Sequence, residues 1–163
     1  MNVESLLHHL AANLDDEIRG QRRLRDHLIF QRSAIDTGSA RELERAVRTL
    51  GEETEAAGRR AAVRTRVMRA IAQAWSVPAS AMTIASIVER AGSRAGRVLA
   101  ERRTELRAAI EEARREARRT SALARIHGGL FQDVIDTLLG TTGPIEPDRA
   151  RERRVGGLVD AEA

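Results

Sequence analysis

An all-α fold is what this sequence predicts: an elongated antiparallel helical bundle or coiled coil of three long helices plus one short helix. Three observations carry the prediction. Aromatic residues make up 2% of the 163 residues and charged residues 32%, a balance that suits long helices joined through narrow aliphatic seams better than a thick core. The three prolines stand at positions 78, 144 and 147, leaving 1–75 and 79–140 free of helix breakers. Apolar residues recur at alternating spacings of three and four, the period of a helix that buries one stripe.

The first seam runs Val3, Leu7, Leu10, Leu14, Glu17, Gln21, Leu24, Leu28, Gln31 and Ile35, thickened by Ile18, and predicts a helix over 2–36. Its three polar members are of the kind that fix register at some cost in stability. "DTGSA" ends the phase: Gly38 suits a left-handed cap, and Ser39 can cap a second helix with Glu42 three positions on. That helix, predicted over 39–75, carries Leu43, Val47, Leu50, Thr54, Ala57, Ala61, Arg64, Met68, Ile71 and Trp75. The small residues in its middle predict close approach of a neighbour. "WSVPAS" stops it, because Pro78 disfavours helical geometry at Val77. "TIASIVERAG" reads as a short helix over 83–91, capped by Thr83 and closed near Gly92.

The third seam predicts a helix over 93–139 and runs Leu99, Arg103, Leu106, Ile110, Ala113, Ala117, Thr120, Ala124, His127, Phe131, Val134 and Leu138. Acid-to-arginine pairs four apart (Asp15–Arg19, Glu44–Arg48, Glu55–Arg59, Glu111–Arg115) are expected on the solvated faces. From Thr141 onward there is no period and two prolines occur. Residues 1–140 are therefore expected to form one helical domain, and 141–163 a disordered tail.

Composition narrows the function. All 28 basic side chains other than histidine are arginine, and the chain has no lysine, tyrosine or cysteine. With nothing to titrate between histidine and guanidinium, a net charge of +4 suffices to push the isoelectric point to 11.1. The high value therefore exaggerates basicity and is no argument for nucleic acid. The absence of cysteine excludes disulfides and thiolate chemistry. The N-terminal stretch lacks the pattern of a signal peptide, and no apolar run approaches the ~20 residues of a spanning helix. A soluble cytoplasmic protein, not inserted in a membrane, is expected.

No catalytic constellation is visible, and neither a metal nor a cofactor is expected. His8 and His9 are adjacent on a helix and point about 100° apart; His27 and His127 stand alone, and none has zinc-ligand spacing. Asp15–Asp16 and Glu111–Glu112 are surrounded by arginines. Gly92 and Gly96 of "AGSRAG" follow no strand and lack a P-loop lysine, so they read as a helix junction. Arg59, Arg60, Arg64, Arg66 and Arg69 spread round their helix without interleaved aromatics, which fits a helix leaning on acidic neighbours better than a nucleic-acid stripe. The chain does not read as an enzyme.

What the sequence does offer is an apolar surplus. "ALARIHGGLFQDVIDTLLG" contains more apolar residues than one seam uses, with Gly128 and Gly129 in its middle. Such a surface on a terminal helix suits a helical partner, and the paired glycines keep the segment deformable at ~1–2 kcal/mol of helix stability. The candidate partner-binding residues are Leu123, Ile126, His127, Leu130, Phe131, Val134, Ile135, Leu138 and Leu139. By seam phase, Phe131 is assigned mainly to the internal seam, and the Leu123–Ile126–Leu130 stripe mainly to a partner.

Two regions together resemble a known family. "LRDHLIFQRSAIDTGSARELERAVRTLGEETEAAGRR" carries a "QRSAID" step at the end of a leucine-seamed helix. "MTIASIVERAG" then precedes a last helix that ends in "RTSALARIHGGLFQDVIDTLLG". The arrangement resembles the flagellar export chaperones of the FlgN type over about residues 1–140. Two family asparagines align with Ala124 and His127, the paired leucines appear as Leu130 and Phe131, and the tyrosine often found beyond the last helix is absent. The resemblance implies binding, not catalysis. Its implied clients are hook-associated proteins of the FlgK and FlgL type, held through the last helix and delivered to components of the flagellar type III export apparatus, with weak self-association as an accompaniment. A different class of function also fits the seams, a self-associating coiled-coil scaffold without a flagellar client.

Overall fold

The computed structural model describes residues 2–138, and the predicted tail from Thr141 to Ala163 lies outside them, as do Leu139 and Gly140. The described residues are all-α. Helix α1 spans Val3–Asp36, α2 Ala40–Ala74, α3 Ile84–Arg90 and α4 Ser93–Leu138, with a 3-10 turn at Ala79–Ala81 between α2 and α3. The boundaries fall within one or two residues of those expected. The chain divides into two compact units, Met1–Arg125 and Ile126–Ala163.

The helix ends follow from local chemistry. The Asn2 side chain accepts from the Glu4 backbone N–H at 2.8 Å and starts α1. At its other end Gly38 adopts φ +66°, and the N–H groups of Gly38 and Ser39 donate to the carbonyls of Ile35 and Ala34, a Schellman closure. Ser39 then accepts from the Glu42 N–H and starts α2. Helix α2 closes in the same way with a less suitable residue: Ser76 sits at φ +54° while the N–H groups of Ser76 and Val77 donate to Gln73 and Ala72. Thr83 and Ser86 exchange side-chain-to-backbone bonds of 3.0 and 2.9 Å, a full capping box for α3.

Within the first unit, ion pairs fix the helix directions. Arg23 and Glu17 of α1 meet Glu53 and Arg64 of α2, and Asn13 donates to the Arg60 carbonyl, so α2 runs antiparallel to α1. Asp15, Arg22, Arg25 and Arg32 of α1 meet Arg102, Glu105, Glu112 and Glu116 of α4, so α4 runs parallel to α1. The apolar core lies at one end of this unit, where Leu6, Leu7, Leu10, Leu14 and Ile18 of α1 meet Ile71 of α2, Ile87 of α3, and Leu99 and Leu106 of α4. Leu10, Leu14, Ile71, Ile87 and Leu99 are fully buried, each contributing about 1.5–3 kcal/mol.

The predicted seams hold through most of their length. Every predicted member on α1, all but Val47 and Thr54 on α2, and all from Leu99 to Thr120 on α4 are buried or half-buried, whereas Ala124, His127 and Val134 are exposed. The apolar pattern missed other buried residues beside them. On α2 the buried companions are Ala46 and Glu53, whereas Val47 is 56% exposed and Thr54 faces solvent. On α4 Ala109 and Glu116 are buried beside Ile110 and Ala117, which are half-buried. Alanine wins where helices approach closely. Glutamate wins because arginines neutralise it: Arg23 of α1 and Arg60 of α2 hold Glu53, and Arg32 of α1 holds Glu116. Of the four surface pairs expected four residues apart, only Glu55–Arg59 forms; Asp15 turns to Arg102, and Glu111 takes Arg114.

Candidate partner-binding site

The register between α1 and α4 sets the site up. Arg25 reaches Glu112 across a separation of 87 residues; carried to the end of α1 at Asp36, that offset arrives at Leu123. Leu123 is half-buried, and Thr120, the last buried residue before it, donates to the Leu28 carbonyl at 3.2 Å. The observed phase on α4 runs through Ala109, Glu116 and Leu123, so Leu123 stands on the packed face of its unit. Its half-burial sets it apart from the exposed Ile126 and Leu130, with which the sequence grouped it.

Beyond Arg125 three apolar side chains among the described residues are open. Ile126, Leu130 and Val134 are 60%, 58% and 55% exposed, and their spacing of four places them along one helical row. His127 is exposed beside them. Phe131, Ile135 and Leu138 belong to α4, but their side chains, like all of Leu139, lie outside the described residues. The assignment of Phe131 to an internal seam falls there too. Gly128 and Gly129 are helical, and among the described residues a Cβ on either would meet nothing within 4 Å. The arrangement offers a short ridge of branched aliphatic side chains.

A second surface was not foreseen. In the first unit a groove of about 820 Å³ lies between the start of α1 and the start of α4. Val3, Leu7, Ala11, Ala95, Val98 and Leu99 line it, with Glu4, His8 and Arg94 among its polar members. The turn that shapes it depends on glycine twice. Gly92 takes φ +78°, and a Cβ on Gly96 would come within 2.7 Å of the Val88 carbonyl oxygen. The two glycines were legible as a junction, but the groove depends on how α4 is seated against α1, which no local pattern reports.

The remaining candidates have structural partners. Among the five clustered arginines of α2, Arg60 and Arg64 turn inward to Glu53 and Glu17, and Arg59 reaches Glu55 at 3.7 Å. Arg60 fits because Gly20 of α1 has no Cβ: its guanidinium occupies that place. Burial raises the Glu17 carboxyl above its ordinary range despite Arg64 and Arg60. At Glu53 burial pushes upward as well, but hydrogen bonds from Arg23 and Arg60 outweigh it and hold the group below that range. Among the described residues no three His, Asp or Glu side chains are grouped as a metal site, and no helix is long and apolar enough to cross a membrane. Comparison with known protein families, with characterised proteins and with solved structures finds no match to this chain.

Proposed function

We propose that this protein is a cytoplasmic export chaperone of the FlgN type, which holds hook-associated flagellar proteins of the FlgK and FlgL class and hands them to the flagellar type III secretion apparatus. The observation that carries the reading is the exposed Ile126–Leu130–Val134 row. An aliphatic ridge on a helix accepts the apolar face of an amphipathic partner helix, and burying it on a client removes the penalty of leaving it in water. The resemblance of "QRSAID", "MTIASIVERAG" and the last helix supplies the client class. A purely structural bundle does not require large aliphatic side chains left open beyond its packed seam.

The test is calorimetric titration of the full chain with a purified hook-associated protein, beside a Leu130→Ser/Val134→Ser variant. The variant is expected to melt like the parent, since neither side chain is buried, and to bind ~2–4 kcal/mol more weakly, as for desolvated anchor residues. Normal binding by the variant, or no binding by the parent, would overturn the reading. A stable homo-oligomer indifferent to flagellar proteins would favour the scaffold instead.

A further inference from the structure

We infer that the outward face of the second half of α2, carried by Arg59, Val63, Arg66 and Arg69, docks an acidic amphipathic helix of a partner protein. The face belongs to the unit Met1–Arg125, whereas the Ile126–Leu130–Val134 row belongs to the other. The inference therefore goes beyond the proposed function and does not depend on it.

The five arginines clustered on this helix sort into two sets. Arg60 and Arg64 turn inward, where Glu53 and Glu17 hold them. Arg59, Arg66 and Arg69 are exposed. At 100° per residue these three fall within about 80° of one another and extend over about 15 Å, one stripe where the five together make none. Arg59 reaches Glu55 at 3.7 Å with both side chains open to solvent. Arg66 and Arg69 form no ion pair among the described residues. Acids are also distant in sequence, since Ala56 through Val88 contains no Asp or Glu. The exposed arginines of α4 differ in this respect: Arg107 and Arg115 stand on either side of Glu111.

Charge selects an anionic occupant, and the rest of the face selects its kind. Val63 is 45% exposed and stands one turn from both Arg59 and Arg66, so an aliphatic contact lies between guanidinium groups. A helix with carboxylates seven residues apart and an aliphatic residue between them matches that arrangement, each guanidinium offering its planar fork to a carboxylate. No aromatic residue occurs between Arg59 and Arg69, so bases have nothing to stack on, which disfavours single-stranded nucleic acid. One valine is too little apolar surface to hold the helix in a lipid interface. A protein helix uses both the charges and the aliphatic contact. Exposed ion pairs are individually weak and screened by salt, so the docking is reversible.

Fluorescence anisotropy of the full chain with a labelled, alanine-based helical peptide tests this. The peptide carries glutamates seven residues apart with leucine between them; a second peptide carries glutamine in place of glutamate. The acidic peptide is expected to bind, and to bind at least ~10-fold more weakly when salt rises from about 0.05 to 0.5 M. Arg59→Glu/Arg66→Glu/Arg69→Glu should weaken it at least ~10-fold as well. All three side chains are exposed, so this variant should melt like the parent; if it melts lower, Arg66→Gln/Arg69→Gln carries the same test with a smaller loss. Arg107→Glu/Arg115→Glu/Arg118→Glu makes an equal charge change at exposed positions of α4 and should bind like the parent. Absence of binding, equal binding of the glutamine peptide, or an equal loss in the α4 charge variant would overturn the inference. So would tighter binding of a single-stranded oligonucleotide or of phosphatidylserine vesicles. Leu130→Ser/Val134→Ser should keep the peptide; losing it would put the peptide on the α4 row instead. The arginine variants should in turn keep a hook-associated protein, so failure of either reading leaves the other standing.

Discussion

Ser76 is the non-glycine residue with positive φ among the described residues, at +54°. It closes α2 where Gly38 closes α1, with the same pair of backbone hydrogen bonds. A side chain in this region costs about 1–2 kcal/mol, and glycine loses about 0.5–1 kcal/mol in unfolded-chain entropy. Ser76→Gly is therefore expected to stabilise the protein by about 0.5–1 kcal/mol, read as a higher urea midpoint at unchanged slope. A lower midpoint would show that the Ser76 side chain contributes more than its backbone costs. The two carboxylates between α1 and α2 make a second prediction. Glu53 is held below its ordinary range, so its contribution to stability is present above about pH 4.5 and is lost as pH falls through its folded value. Glu17 is raised, so its sign is opposite: the charged form costs stability as pH rises through its folded value. Glu53→Gln should destabilise by about 1–3 kcal/mol at neutral pH, and the deficit should shrink in acid. Glu17→Gln should cost less at neutral pH. Urea melts from pH 3 to 7 decide both, and a larger cost at Glu17 would reverse the assignment.

At the scale of elements, the helices were legible, and most of their inward faces with them. Asn2, Ser39, Thr83, Gly38 and Pro78 punctuate the chain by local chemistry, which is why the ends were found. Ala46 and Ala109 were missed because valine at 47 and isoleucine at 110 outrank alanine on any apolar count. Burial is instead decided by how near the neighbouring helix comes and by whether an arginine stands opposite a glutamate. Both are tertiary facts. One sign was available: Glu53 and Glu116 share the heptad phase of Ala46 and Ala109 and face α1, a helix rich in arginine. The burial of Ala46 is testable. Ala46→Leu forces extra methylenes into a fully buried position and should cost about 1–3 kcal/mol. Val47→Ser, at an exposed position, should stay within about 0.5 kcal/mol of the parent. Equal effects in thermal melts would return the seam to Val47.

For the molecule as a whole, the apolar surplus near the end of α4 was visible in the sequence, but its division between packing and binding was not. That division depends on where α1 ends relative to α4, which the Arg25–Glu112 register sets and no single helix encodes. Every buried hydrophobic residue among those described lies at or before Ala113, and the last buried side chain of any kind is Thr120. The unit Met1–Arg125 thus contains the whole described core, from Leu6 to Leu106. A chain ending at Arg125 should therefore fold, with a melting temperature within ~2–4 °C of the parent, the shift expected for a loss of about 1 kcal/mol in a domain of this size. The same truncation removes Ile126, Leu130 and Val134, so it should abolish capture of a hook-associated protein. Two measurements on one protein decide the matter, a calorimetric melt and a client titration. A truncated chain that melts many degrees lower would mean that the segment from Ile126 closes the bundle, and the exposed row would lose its claim to be a binding surface. A truncated chain that melts normally and still binds client would move the site to the groove between Val3, Leu7 and Val98. Normal melting with lost binding is the result expected, because the side chains that hold the fold and those left open on α4 are different residues.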